Sequence, residues 1–558
     1  MADQHPFASI VPLPERWLRV ITWVAFAAPF AVYWYYTLRY GPNVPFEDDC
    51  DNVLGFVNRW ITAVGPWAKL RTVYERSNDH RLITEKLAIL LQYGVFGHVN
   101  FRHLMILSSV GWTAALVLLL RRARQVLWLG LPWLVPLPCI WFSFVQERGL
   151  MGIGAGAIQH HWSIFLALLT LSLLVRNHTR GATATAVLAL CTAGVGQVLA
   201  PVGSCMLILR RRWRSWALFG SVTGVAAQLA HVSYSGVMYH PSPRDALASF
   251  ESTVEFFFRV RGSLVHAPSI EIPLGVLCAA GLLHGVITGR GSPFFRSAAC
   301  YVIVVAAVLA LVRAPFNEVP IASRYTIISL LAWSVLYVLW IDGERFKVYG
   351  GRALLVVWLV AGAYFGGIVL KANANQTFAR NYAARVASLA DLVPGHTTAG
   401  LSVFQPSPSY AEEVLVRARD TGVFDYRTAN RLARVDPMQA GTLQATREYR
   451  GYIDGYDGQH LVGWAAIVGV RSSDARIFAL LESGGQVYRI PSFPMKRPDV
   501  SQSLGTQFGY DWDGFEAFLA AYEIPVGSYR VGIQVESIAG SAVKWTELHY
   551  ERRAHEGA

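Results

Sequence analysis

Apolar stretches recur along the chain near residues 17–38, 103–120, 125–144, 156–175, 182–209, 216–236, 271–288, 295–312, 321–341 and 352–370. Most have the roughly 20 residues that a helix needs to cross a bilayer core of about 30 Å, and they predict single spans. The 182–209 stretch differs. Arg176 and Arg180 precede it, Arg210–Arg214 follow it, and its middle reads Gly194-Val195-Gly196-Gln197-Val198-Leu199-Ala200-Pro201-Val202-Gly203. The Gly/Pro break predicts a hairpin of two short helices, tolerated where protein covers the loosened backbone. Counting it as two gives about 11 spans, with the amino terminus inside and the carboxy terminus outside.

That topology makes 39–102 a long outer loop. It carries two apolar islands, Val53-Leu54-Gly55-Phe56-Val57 and Leu87-Ala88-Ile89-Leu90-Leu91, with charges between them. Both suit helices lying along a membrane surface. A structured loop of this length usually has a function.

Beyond Leu370 the pattern changes. Residues 372–445 are polar and partly helical in character, around Tyr382–Leu389. Residues 446–558 alternate in short runs broken by Gly, Asp and Pro, as in Tyr452-Ile453-Asp454-Gly455, Ile477–Leu481, Val487–Ile490 and Tyr529–Val535. Such alternation predicts a small antiparallel β-sandwich, which the span parity places outside the cytoplasm. Three segments follow: a multi-span domain over 1–371, a linker over 372–445 and an all-β domain over 446–558.

Composition agrees with the membrane reading. The 558 residues are 53% hydrophobic and only 15% charged, against about 25% charged in soluble domains. The net charge of +12 does not imply nucleic-acid binding, because Arg121-Arg122-Ala123-Arg124 and Arg210–Arg214 abut the ends of spans. Basic residues there set topology. The first apolar stretch is full length and lacks a small-residue cleavage site, so no cleavable signal peptide is expected. The six cysteines show no metal-binding spacing and predict no disulfide framework.

Charge matters most just after the first span, where Glu47, Asp48, Asp49 and Asp51 crowd around Cys50. A dense acidic patch at the mouth of a membrane helix is costly unless it binds cations or performs chemistry. A glycosyl transfer needs a carboxylate to deprotonate the acceptor hydroxyl, or to hold a divalent cation such as Mg²⁺ or Mn²⁺ beside a donor phosphate. An acidic loop balancing its basic neighbours explains the cluster equally simply. Asn78-Asp79-His80-Arg81 in the same loop offers a His and an Arg for a phosphate; the alternative is a helix cap at Asp79. Glu147, Gln159 and His160 sit at the mouth of a later span, where ionisable groups are functional candidates. Hydrogen-bonded helix-end residues are the plainer reading of the His160-His161 pair. Arg324-Tyr325 opens another span, and its arginine either grips an anion or snorkels to the interface.

Together these segments resemble the polytopic GT-C glycosyltransferases that use polyprenyl-phosphate sugars, in their arabinosyl- and mannosyltransferase-like branches. The resemblance covers about residues 15–370. It rests on Glu47-Asp48-Asp49, Asn78–Arg81, Gln146-Glu147 through Gln159, the hairpin at 194–203 and Ser323-Arg324-Tyr325. It implies an inverting transfer on the outer face of a bacterial inner membrane, from a lipid-phosphate donor to a glycan, lipid or protein of the envelope. Asp49, or failing it Asp48, would act as base, and Arg81 and Arg324 would hold phosphate. The run of four acids departs from the family's acidic pair.

The tail is similar to small domains appended to bacterial glycan enzymes, through Gly463-Trp464-Ala465, Arg497-Pro498-Asp499 and Gly514-Phe515. Tyr510 and Trp512 are candidates to stack on sugar rings, whereas Trp464 reads as core. Two other functions compete with the enzyme. A transporter or flippase of lipid-linked sugars should show internal repeats and midplane charges, and neither is visible. A non-catalytic assembly protein would tolerate loss of the acidic cluster.

Overall fold

The structure, a computed structural model, describes residues 7, 13–46, 48–77, 81–127, 130–143, 154–231, 249–265, 267–316, 323–341, 344–371, 379–384, 386, 408–424, 434–443, 445–458, 460–504 and 509–552. The chain divides into two compact units. One comprises residues 1–41, 45–374 and 420–424, and the other 42–44, 375–419 and 425–558.

The first unit is helical. Among the described residues five helices are long and apolar enough to cross a membrane: Glu15–Tyr40 (α1), Phe101–Gln125, Ile158–Val175, Pro268–Ile287 and Pro293–Arg313. Shorter apolar helices cover Leu131–Trp141, Gly194–Leu209, Thr326–Ile341 and Gly351–Gly367. Their composition marks this unit as a membrane domain. The first apolar island spans the end of a π-helical turn, Cys50–Gly55, and the start of Phe56–Thr62 (α2); Pro66–Tyr74 (α3) follows, and the second island lies in Ile83–Phe96 (α4).

Two expectations about the spans meet different outcomes. The break at 194–203 is present as a short 3-10 turn, Gly194–Val198, between helices Thr179–Leu190 and Leu199–Leu209. The expected span over 125–144 does not form as one helix. The preceding helix runs on to Leu127, and the apolar residues that follow fold as a 3-10 turn, Leu131–Leu134, and a six-residue helix, Pro136–Trp141. Pro132, Pro136 and Pro138 account for this, since each removes a helix donor and clashes with the preceding turn.

The second unit contains the two antiparallel sheets that the alternation predicts. One sheet orders β1 (Met438–Gln439), β5 (Gln486–Pro491), β4 (Ala475–Ser483), β8 (Gly527–Ser537) and β9 (Gly540–Arg552). The other orders β2 (Tyr449–Tyr456), β3 (His460–Ile467), β7 (Gly514–Phe518) and β6 (Phe493–Met495). Along β8 the apolar residues Tyr529, Val531, Ile533 and Val535 alternate on one face and are buried, with Gly532 and Gln534 between them buried as well. The apolar residues share a core with Leu481 and Ile490 of the same sheet and with Leu461, Ile467 and Phe515 of the other. Each such side chain contributes roughly 1.5–3 kcal/mol by leaving water.

The glycan-enzyme-like motifs of the tail turn out to be structural. A Cβ on Gly463 would lie 2.3 Å from the Tyr452 carbonyl oxygen, so only glycine lets β2 and β3 approach this closely. Trp464 is half-buried and packs on Ala466, Val500 and Tyr510. Arg497 donates to Asp499 from Nε (2.9 Å) and Nη2 (2.7 Å) and also meets Asp454, so the Arg-Pro-Asp motif is an ion-paired corner. Tyr510 is core as well, and its hydroxyl accepts the Gly469 N–H at 2.8 Å, which removes it as a sugar platform. Trp512 is 55% exposed.

Candidate functional site: an acidic centre behind the first span

After α1 the chain turns sharply. The Phe46 N–H donates to Asp49 Oδ2 at 3.2 Å, and the Asp49 N–H donates back to the Phe46 carbonyl at 3.0 Å. This reciprocal pair fixes the Asp49 carboxylate against its own backbone. The Asn52 N–H bonds the Asp48 carbonyl at 2.8 Å and leads into a π-helical turn, Cys50–Gly55, that continues as α2. Such turns are often found at functional sites. Asp49 is fully buried, Asp48 is exposed beside it, and Asp51 is half-buried and accepts from Arg59 Nη1 at 3.2 Å. Burial, reinforced by Asp49, Asp51 and Asp48, pushes the Cys50 thiol up to about 12. It is therefore a packing residue rather than a nucleophile.

A further carboxylate completes the centre. Glu85, in the first turn of α4, is fully buried, and among the described residues neither of its oxygens has a hydrogen-bond partner. Burial first, then the negative charges of Asp49 and Asp48, raise its pKa well above the ordinary carboxylate value, against the opposing pull of Lys86. The position of α4 is set by Thr84, whose N–H donates to the Cys191 carbonyl at 3.2 Å and whose hydroxyl donates to the Leu188 carbonyl at 3.3 Å. Lys86 next door is committed elsewhere: its ammonium donates to the carbonyls of Thr72, Val73 and Glu75. Burial, then the charge of Arg59, lowers the Lys86 pKa to about 8 against the pull of Glu85, Glu75 and Asp51.

The other candidates have varied surroundings. The Arg81 guanidinium lies 3.8 Å above the Tyr74 ring and donates to the Tyr74 carbonyl at 2.6 Å and the Ala230 carbonyl at 3.2 Å. Gln159 and His160 are half-buried near the start of the helix Gly154–Val175. Their neighbour His161 is the sealed one: its Nδ1 sits 2.7 Å from Ser108 Oγ, and its ring stacks on Trp112 at 5.1 Å. That is a packed helix-contact histidine. Arg324 lies over the ring of Tyr325 at 5.2 Å, and Tyr325 is buried edge-on to Phe256. Glu47, His80 and Glu147 lie outside the described residues.

The centre therefore joins Asp48 and Asp49 to Glu85, which pattern reading passed over. The available signal was an acid placed at the head of an otherwise apolar island. Among the described residues no three His, Cys, Asp or Glu side chains are grouped to hold a metal ion. Comparisons with protein-family models, curated proteins and solved structures found no match.

Proposed function

We propose that the chain is a membrane glycosyltransferase that moves a sugar from a polyprenyl-phosphate donor to an envelope glycan, lipid or protein on the outer face of a bacterial inner membrane. The observation that carries the reading is the buried acidic centre directly behind a membrane-length helix, with a sealed carboxyl that has no partner. Buried unpaired acids cost stability, and they persist where chemistry needs them.

In this reading Asp49 takes the proton from an acceptor hydroxyl as its oxygen attacks the anomeric carbon. The bond from that carbon to the donor phosphate breaks, the lipid phosphate leaves with the electron pair, and the configuration inverts. Asp49 suits the base because its carboxylate is held by the Phe46 N–H within a shielded site. Arg81 and Arg324 are the cations for the donor phosphate. Trp512 is the exposed aromatic of the sandwich available to a sugar ring.

The test compares wild type with Asp48→Asn and Asp49→Asn, matched for membrane expression, by mass analysis of the host's surface glycans. Loss of a sugar-sized increment with Asp49→Asn supports the reading. Unchanged glycans in both variants, where deletion of the whole protein removes the increment, would move the function to transport or assembly.

A further inference from the structure

The orphaned state of Glu85 has a specific chemical content. A carboxyl has acceptor capacity on both oxygens, and a buried one without donors is rare in folded proteins. The obvious internal donor is Lys86, yet its three N–H groups already have three carbonyl acceptors at Thr72, Val73 and Glu75. The next cation, Arg59, pairs with Asp51. The groups whose charge acts on Glu85 are Asp49 and Asp48, which would repel an anion, and Lys86. Burial and these like charges favour the protonated carboxyl, so the missing partner must both donate to its carbonyl oxygen and accept from its O–H, without negative charge. Metal coordination is not supported by the grouping of the described side chains. Hydroxyl groups fit on every count, and sugars present several on one face.

We propose that Glu85 is a substrate-contacting residue whose buried carboxyl exchanges hydrogen bonds with hydroxyls of the sugar held over Asp49. This rests on the glycosyltransferase reading and deepens it by assigning the sugar subsite. In the absence of substrate the unpaired oxygens burden the fold; with substrate they discriminate for hydroxyl-bearing rings, because a ring lacking those groups leaves the carboxyl unpaired.

The proposal separates activity from stability. Glu85→Met keeps the shape and removes the orphaned acceptors, which is neutral or stabilising when both polar partners are absent. The full-length protein in detergent should then unfold at the wild-type temperature or about 1–4 °C above it. In cells the fraction of surface glycan carrying the sugar-sized increment should fall roughly 10–100-fold, the loss expected when a buried hydrogen-bonding partner of the substrate is removed. Glu85→Gln, which keeps one acceptor and the shape, should fall between the two. Wild-type glycan in both variants overturns the proposal, as does a Glu85→Met protein that loses thermal stability while Glu85→Gln, stable, transfers normally. Should Glu85→Met fail to fold, reduced transfer by a stable Glu85→Gln supports the assignment. Asp48→Asn and Asp49→Asn run in parallel keep the two readings apart: if both leave the glycan unchanged, the transferase reading fails; if either abolishes the increment while both Glu85 variants retain it, only the sugar subsite fails.

Discussion

Two glutamates show how differently this chain treats buried charge. In the sandwich, Glu516 is 5% exposed, and it meets Arg380 on one side and His460 Nε2 at 2.8 Å on the other. Burial alone would raise its pKa, yet His460 and Arg380 outweigh that and hold it below the ordinary carboxylate value. In the membrane unit, Glu85 is fully buried and neither oxygen is paired among the described residues. Arg497, Asp499 and Asp454 repeat the sandwich pattern of closed networks. A satisfied network rigidifies a fold, whereas an unsatisfied buried group lowers stability and is retained for what binds it.

On the transferase reading, the largest effect should come from the acidic centre. Asp49→Asn should lower transfer by about 10²–10⁴-fold, the usual contribution of a positioned base, with little change in thermal unfolding. Glycan mass analysis and thermal unfolding of the same preparations decide it. An Asp49→Asn protein that unfolds instead would place Asp49 with the structural acids of the sandwich and erase the contrast.

The second test sets two sandwich carboxyls against each other. Burial pushes the Asp513 carboxyl up to about 7, with a hydrogen bond from Ser472 opposing it. Its contribution to stability is present below the unfolded value of about 3.9 and is lost as pH rises toward 7. Glu516 has the opposite sign: its stabilisation is present above the unfolded value of about 4.3 and is lost as pH falls through its depressed folded value. Asp513→Asn should therefore leave the unfolding temperature unchanged near pH 4 and raise it near pH 8, where the stability gain is on the order of a few kcal/mol. Thermal unfolding of the full chain across pH measures it, and a flat difference between variant and wild type would contradict the buried-acid assignment.

A smaller change comes from opening one network. Arg380→Met leaves Glu516 buried with His460 as its remaining partner, at a cost of about 1–3 kcal/mol. Susceptibility of the sandwich to protease in the full-length protein should rise, while glycan transfer per folded molecule stays constant. Lost transfer without lost stability would mean that the sandwich network serves the reaction after all.

Which of these features pattern reading could reach follows from the physics of each. The period-2 alternation of Tyr529–Val535 is a local property, and the strand forms where it predicts. The hairpin between β4 and β5 is equally local: Gly484 and Gly485 both adopt positive φ, as a two-residue turn requires. Asp48 and Asp49 stand out because acids are rare beside a span. Glu85 was invisible because its meaning depends on distance in space. In sequence it is one half of a Glu-Lys dipeptide, which reads as a solvated pair; in the structure Lys86 is turned to the carbonyls of Thr72, Val73 and Glu75, and Glu85 is left with Asp48 and Asp49. The break over 125–144 was legible in Pro132, Pro136 and Pro138, but apolar content masked it because hydropathy does not register a missing N–H.

Trp512 gives the finest test of the contrast, because it is the sandwich feature most like the acidic centre in having capacity left over. Its backbone N–H is held by Ser472 Oγ at 3.3 Å, so the loop is fixed while the ring stands 55% exposed. Little core packing depends on it, and Trp512→Ala should change stability by no more than about 0.5 kcal/mol. If the ring stacks on sugar, retention of the full-length protein on a matrix of the host's surface glycan should weaken by about 5–20-fold, matching the 1–2 kcal/mol that a ring–sugar contact supplies. Unchanged retention would return Trp512 to the ordinary exposed aromatics and leave the membrane unit as the sole site of sugar recognition. A large stability loss would instead place the ring among the satisfied contacts that hold the sandwich together.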